Sequence, residues 1–235
     1  MNLKQRKSIV LIIAMLFIVL VILSYIMVRR QGLNNSLPIT EEIAYVHIVP
    51  DGWESLFDGT TLTGWEIIQY GGEGEPYANN GVLVLPSATA GMMTGLCWIG
   101  DSLPVNNYTI YYEARRVQGY DIFAGLSFPY KDTFASLILG GWGGIVNGIS
   151  CVDGFDASDN ETTQHFSLNN NEWYPVQLFV TTDSIRAFVG DKQAVNLATA
   201  GKNLYLRPGS YTTSLTLWTY LTTGEIRDLR IKKLP

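Results

Sequence analysis

The chain has 235 residues and a formal net charge of −5, with 16% charged and 47% hydrophobic residues. That length holds one sizeable domain plus accessories, and sparse charge beside 23 Gly, 13 Tyr and 6 Trp suits a turn-rich all-β domain rather than a helical one. Five of the sixteen basic residues (Lys4, Arg6, Lys7, Arg29 and Arg30) fall in the first thirty positions with no acidic residue, leaving 11 basic against 21 acidic in the remainder, a net of −10. A domain so acidic repels a phosphate backbone, which argues against nucleic acid and for neutral sugars, cations or protein as partners.

Ser8–Val28 carries no charge and no proline. As a helix it is roughly 30 Å long, which matches the hydrocarbon core of a bilayer. It is longer than a signal-peptide core, and it runs into Arg29 and Arg30 without a small-residue cleavage site. The expectation is an uncleaved signal-anchor: residues 1–30 form a cytoplasmic stub and transmembrane helix. Lys4, Arg6 and Lys7 outweigh Arg29 and Arg30, so the rest of a single-pass cell-membrane protein is expected outside the cytoplasm. Residues 31–43 read as a polar stalk, and 44–235 as the folded domain. Asn34, Asn107 and Asn160 head Asn-x-Ser/Thr sequons, which matter only in a eukaryotic secretory pathway.

From Ala44 onward, short β-type runs alternate with turn signals. They are Ala44–Val49, Gly81–Leu85, Tyr108–Val117, Asp121–Phe128, Thr133–Leu139, Ile145–Val152, Trp173–Thr181, Ser184–Gly190, Ser214–Tyr220 and Glu225–Leu234. Regular spacing without a convincing soluble helix predicts an antiparallel sandwich. Cys97 and Cys151 are the two cysteines. If paired, they close a loop of about fifty residues, worth roughly 4 kcal/mol in chain entropy; the alternative is two separate buried thiols.

Trp53 to Trp65 reads WESLFDGTTLTGW. Asp58-Gly59 predicts a tight turn with the glycine at positive φ, and Trp53, Phe57 and Trp65 are expected to fill the space between sheets. This stretch resembles the opening signature of the 3-keto-disaccharide hydrolase domain family. The order of later elements is similar too: Gly81–Val84, Glu172–Val180, Asp183–Gly190 and the closing Ile226–Leu234. The resemblance implies a concanavalin A-like jelly-roll sandwich of two antiparallel sheets, one of them concave. It also implies a carbohydrate partner, with hydrolysis of 3-keto-glycosides in characterised members. The Asn-Ser-Gly and Glu-x-Gln strands of that family have no counterpart in Asp121–Gly144, so no catalytic residue is carried over.

The candidate chemistry therefore comes from the residues themselves. Gly140, Gly141, Gly143 and Gly144 frame Trp142, whose flat indole suits stacking on a sugar ring; the alternative is a wide turn with Trp142 folded onto the core. Asp153, Asp156, Asp159 and Glu161 follow within nine positions. Two carboxylates facing across a cleft serve as acid and base or nucleophile in glycoside hydrolysis. The same oxygens suit Ca²⁺, or a solvated turn. Glu113 and Asp121 complete the catalytic candidates, and Arg115 is a substrate-binding candidate. Arg115 and Arg116 are adjacent, so a strand sends them to opposite faces, and one of them is expected buried against Glu113 or Asp121. His47 and His165 lie far apart with no nearby cysteine, which argues against zinc. Two functions stand: a carbohydrate-active domain hydrolysing 3-keto-glycosides, and a non-catalytic lectin-like or cell-surface interaction module.

Overall fold

The computed structural model describes residues 48–71, 74–88, 93–208, 210, 212 and 214–235. The apolar run Ser8–Val28, the stalk, the sequon at Asn34 and most of the run Ala44–Val49 lie outside the described residues. Among those described, Ile48 and Val49 are in no strand, and no helix is long and apolar enough to cross a membrane.

Among the described residues the fold is all-β, with two antiparallel sheets. The eight-stranded sheet runs in the order β13 (Lys192–Ala198), β12 (Ser184–Val189), β11 (Tyr174–Val180), β6 (Tyr108–Gly119), β15 (Thr222–Lys233), β4 (Val82–Leu85) and β3 (Tyr77–Asn79); β1 (Glu54–Ser55) also pairs with β15. The seven-stranded sheet runs β10 (Gln164–His165), β9 (Val146–Ser150), β8 (Thr133–Gly140), β7 (Gly125–Tyr130), β14 (Thr216–Tyr220), β5 (Met93–Trp98) and β2 (Trp65–Ile67).

Strand alternation builds the core. On β6, Tyr108, Ile110, Tyr112 and Ala114 are fully buried, while Tyr111, Glu113 and Arg115 point the other way. Facing them from the seven-stranded sheet are Leu126, Leu137, Ile149 and Leu217, also fully buried. A smaller apolar cluster of Ile122, Ile138, Val146, Ala157 and Trp218 sits apart from this core. Ile138 neighbours the inward Leu137 and Trp218 neighbours the inward Leu217, so this cluster covers the outward face of the seven-stranded sheet. That sheet is therefore buried on both faces at its centre, and β7, β8 and β9 show near-continuous burial instead of alternation.

The Trp53–Trp65 signature does structural work. Gly59 takes φ 84°, and Asp58 Oδ1 accepts the backbone N–H groups of Thr60 and Thr61, both at 2.7 Å. Burial, the largest single effect, raises the Asp58 carboxyl, but the bonds from the Thr61 hydroxyl, the two N–H groups and the Thr60 hydroxyl together hold it below its usual range. Phe57 and Trp65 are buried in the core, and Trp65 Nε1 donates to Leu56 O at 2.7 Å. Trp53 departs from expectation: it packs edge-on against Tyr111, with the Arg230 guanidinium 5.1 Å from its ring. Tyr111 faces away from the core, so Trp53 covers the outer surface of the eight-stranded sheet instead of filling the interior.

Of the two readings of the cysteines, the structure shows separate buried thiols. Cys97 lies on β5 and Cys151 follows β9, with β14, β7 and β8 between them. Four strand steps span about 19 Å, whereas a disulfide needs Cα atoms within about 6.8 Å, and no disulfide joins them. Adding a reductant is accordingly expected to leave the thermal unfolding midpoint unchanged. A bond closing that loop would contribute about 4 kcal/mol, and its reduction would lower the midpoint by about 10 °C.

Candidate functional site

An open cleft of about 340 Å³ lies on the outward face of the seven-stranded sheet. Its floor is set by register. Ser150, Ser136, Ser127 and Thr216 are successive cross-strand partners on β9, β8, β7 and β14. One row along, Ile138 and Trp218 flank Gly125, the direct partner of Trp218. A Cβ on Gly125 would come within 2.5 Å of the Trp218 ring, so the indole lies on the bare backbone of β7. Its Nε1 donates to Ser127 Oγ at 3.2 Å, and Ser127 Oγ is 2.8 Å from Ser136 Oγ.

One wall carries Asp156 and Arg207. Asp156 Oδ2 pairs with Arg207 Nη1 at 3.0 Å. Asp156 Oδ1 accepts from Ser150 Oγ on the floor and from Ala157 N. The loop that carries Asp156 is organised by Asn160. Its Nδ2 donates to the carbonyls of Ile149 and Asp156, both at 2.8 Å, and its Oδ1 accepts from Thr162 N and Oγ1. Thr162 Oγ1 in turn accepts Ile149 N at 2.8 Å, which ties the loop to β9.

The other acidic residues of this loop face elsewhere. Lys202 Nζ lies 3.1 Å from Asp153 and 3.0 Å from Glu161. The Asn203 N–H and Lys202 hold the Asp153 carboxyl below its usual range, and the two carboxylates raise Lys202. Asp159 is exposed. Among the described residues no three His, Cys, Asp or Glu side chains gather as a metal site; the place between Asp153 and Glu161 is taken by the Lys202 ammonium.

Trp142 stands at the far end of the cleft on the helical turn α1 (Gly141–Gly144). It adopts φ 49°, ψ 53°, a left-handed conformation that costs a side-chain-bearing residue about 1–2 kcal/mol. Asp121 offsets that strain: its Oδ2 accepts Gly143 N at 3.0 Å, and its Oδ1 accepts Ile122 N at 2.9 Å. Asn147 Oδ1 accepts Gly140 N at 3.0 Å. Beneath the turn lies Arg116, 5% exposed, its guanidinium 5.1 Å from the Phe123 ring. Burial pushes Arg116 down from its usual value and the Asp121 charge opposes this. Gly140 is required here twice over. Its φ is 69°, and a Cβ would sit 2.3 Å from Arg116 Nη2. The buried member of the arginine pair is thus Arg116, but it makes no ion pair with Asp121 among the described residues: its Nη1 donates to Asn170 Oδ1 at 3.3 Å, and the Asp121 oxygens accept backbone N–H groups.

The structure therefore brings Trp142 and Asp156 into one cleft and places Asp121 behind it as a support of the Trp142 turn. Glu113 and Arg115 are carried to the opposite side of the molecule. There Arg115 pairs with Glu225 at 2.5 Å and Arg227 with Glu113 at 2.6 Å, and both guanidinium groups flank the Trp173 ring. An odd-numbered β6 position faces away from the core, which is the physical reason. Sequence reading missed Ser150, Arg207 and Trp218. Arg207 follows β13, and Trp218 bonds to a residue 91 positions away, so neither is marked by a local motif. Gly125, directly under the indole, was the one available signal.

A two-sheet antiparallel sandwich with an open, aromatic-lined cleft on one sheet is the architecture of carbohydrate-active, glycosyl-hydrolase-like domains. Within that class the chain belongs to the 3-keto-alpha-glucoside-1,2-lyase-like domain family, which matches residues 52–227. No curated protein matches its sequence. Among solved structures, a candidate glycosyl hydrolase from Parabacteroides distasonis ATCC 8503 is 13% identical with a TM-score of 0.52, covering 80% of this chain and 99% of its own. The Crh5 transglycosylase in complex with NAG is 9% identical with a TM-score of 0.57, covering 78% and 85%. At such identities the likeness is one of fold.

Two glycine variants isolate the support of Trp142. Gly140→Ala and Gly143→Ala both place a Cβ at positive φ, but nothing lies within 4 Å of the second. Gly143→Ala is expected to cost about 1 kcal/mol. Gly140→Ala is expected to cost a further 1–3 kcal/mol by pushing on Arg116. Denaturant unfolding of both variants measures the difference, and equal losses would show that the guanidinium does not press on the turn.

Proposed function

We propose that the cleft binds a carbohydrate and, when the sugar carries a 3-keto group, breaks its glycosidic bond by 1,2-elimination. The observation that carries this reading is one carboxylate, Asp156, held beside the Arg207 guanidinium and the Ser150 and Ser136 hydroxyls in a cleft also lined by Trp142 and Trp218. Hydrolysis by paired carboxyls requires a second one about 5–9.5 Å from the first. Asp156 is the one carboxylate among the described lining residues.

Elimination needs less. A ketone at C3 acidifies the proton at C2. Asp156 takes that proton, and the electron pair moves toward the C3 oxygen, where the Arg207 guanidinium stabilises the developing charge. Collapse of the enolate forms the C1–C2 double bond and breaks the bond from C1 to the glycosidic oxygen, which leaves and is protonated by water. Membership in a family described by 1,2-lyase chemistry supports this order of events. The apolar run Ser8–Val28 supports a membrane anchor, and the excess of Lys4, Arg6 and Lys7 over Arg29 and Arg30 supports placing the domain outside the cytoplasm.

A second reading, a non-catalytic lectin-like module, is favoured by one observation: both Asp156 oxygens already have partners. Release of nitrophenol from a 4-nitrophenyl 3-keto-α-glucoside separates the two. Asp156→Asn is expected to lower kcat by about 10²-fold or more, the usual worth of a positioned base, while sugar affinity changes only a few-fold. Wild-type binding without release would support the lectin-like reading, and unchanged release by the variant would remove Asp156 from the chemistry.

A further inference from the structure

Resting on the reading that a sugar occupies this cleft, we infer that its preferred ligand is a glycoside whose second half is a flat apolar ring, an aryl glycoside, and not a disaccharide. The cleft is polarised along the strands. Outward side chains two residues apart on a strand are about 6.7 Å apart, so the sheet face falls into successive rows. The first row is hydroxylic: Ser150, Ser136, Ser127 and Thr216 lie side by side across four strands, and of these Ser150 and Ser136 line the cleft while Ser127 and Thr216 are buried beside it. Asp156 joins it through Ser150, and Arg207 joins through Asp156.

The second row is Ile138 and Trp218 over Gly125. The one polar atom of the Trp218 side chain is turned back to the first row, where it donates to Ser127. The third row holds Tyr220 and its cross-strand partner Met93. Ile122, whose carbonyl accepts Tyr220 N at 2.9 Å, and Trp142 close this end. Along the sheet floor polarity thus runs out over two strand rows, from hydroxyls to aromatic and aliphatic carbon, with Asp156 and Arg207 on the wall at the first row; Pro208 and Ser210 also line the cleft.

A second pyranose at the far end would desolvate several hydroxyls. The described side chains there offer it the Tyr220 hydroxyl and the Trp142 indole N–H, and each hydroxyl left without a partner weakens binding. An aryl ring has no such requirement and stacks offset or edge-on against Trp142 and Tyr220. The cleft volume of about 340 Å³ stands near the small end of ligand sites, as one sugar ring and one aromatic ring require.

Calorimetric titration of the full-length chain with methyl α-glucoside, phenyl α-glucoside and maltose tests this. Phenyl α-glucoside is expected to bind at least tenfold more tightly than either of the others. Trp142→Ala is expected to abolish that advantage, weakening phenyl α-glucoside at least tenfold more than methyl α-glucoside. Tyr220→Ala, on a different strand, is expected to do the same and guards against a local defect in the Trp142 turn. Maltose binding as tightly as phenyl α-glucoside, or equal weakening of all three ligands by Trp142→Ala, would overturn the aryl preference and leave carbohydrate binding standing. No binding of any of the three would remove the carbohydrate reading, and the aryl preference with it.

Discussion

The cleft depends on the absence of side chains at two points in the seven-stranded sheet. Gly125 lets the Trp218 indole lie on β7, and Gly148 does the same for the acidic loop on β9. A Cβ at Gly148 would come within 2.9 Å of Thr162 Oγ1 and 3.1 Å of Thr162 O. Without these glycines the ring and the loop would each be lifted off the sheet. Asp156 would then lose its bond to Ser150, since that bond spans from the loop to the sheet. Two bare backbone positions therefore set both the apolar floor and the carboxylate of the site. The cost is a pair of strands with less side-chain packing, and the smaller apolar cluster on this face offsets it by burying Ile138, Val146, Ala157 and Trp218.

The same device explains what was and was not legible in the sequence. Strands β6, β11, β12 and β15 carry period-two patterns, because one face meets the core and the other meets solvent or a coat of ion pairs. They could be read directly. β5 escaped notice: Gly95 interrupts it, and its neighbours Ile68, Leu217 and Tyr70 close over the gap. β13 is not among the expected runs: between Ala187↔Val195 and Phe188↔Gln193 it carries the additional residue Ala194, which breaks its alternation. In the site, the glycine frame of Trp142 and the acidic loop were visible as local clusters. What could not be seen was which carboxylate turns inward. Asn160, prominent in the sequence only as a sequon, decides that by holding three loop atoms and the β9 carbonyl of Ile149 at once.

Charge is partitioned between the two outer faces. The eight-stranded sheet wears its charges in pairs, Arg115 with Glu225 and Arg227 with Glu113, braced against Trp173. Each pair satisfies itself, and a ligand would have to break it. The arrangement is a covering for a strand face that must be solvated yet flat. The seven-stranded sheet instead exposes an ion pair whose members come from different loops, Asp156 and Arg207, with hydroxyls beside it and apolar rings beyond. Two residues that look equivalent in a list of charged groups, Glu113 and Asp156, thus have opposite consequences because one lies on a covered face and the other beside a cleft.

A single carboxylate also constrains the leaving group. Paired-carboxyl hydrolysis supplies a proton to the departing oxygen, and this cleft offers no second described carboxyl to do so. Elimination through a 3-ketone removes the need for a nucleophile but not the need to expel that oxygen. A sugar alkoxide is a poor leaving group without an acid. A phenolic oxygen, with a pKa near that of tyrosine at about 10, leaves far more readily. The polarity gradient of the cleft and the number of its carboxylates therefore point to the same ligand from independent directions: one through what the far end can solvate, the other through what the near end can expel.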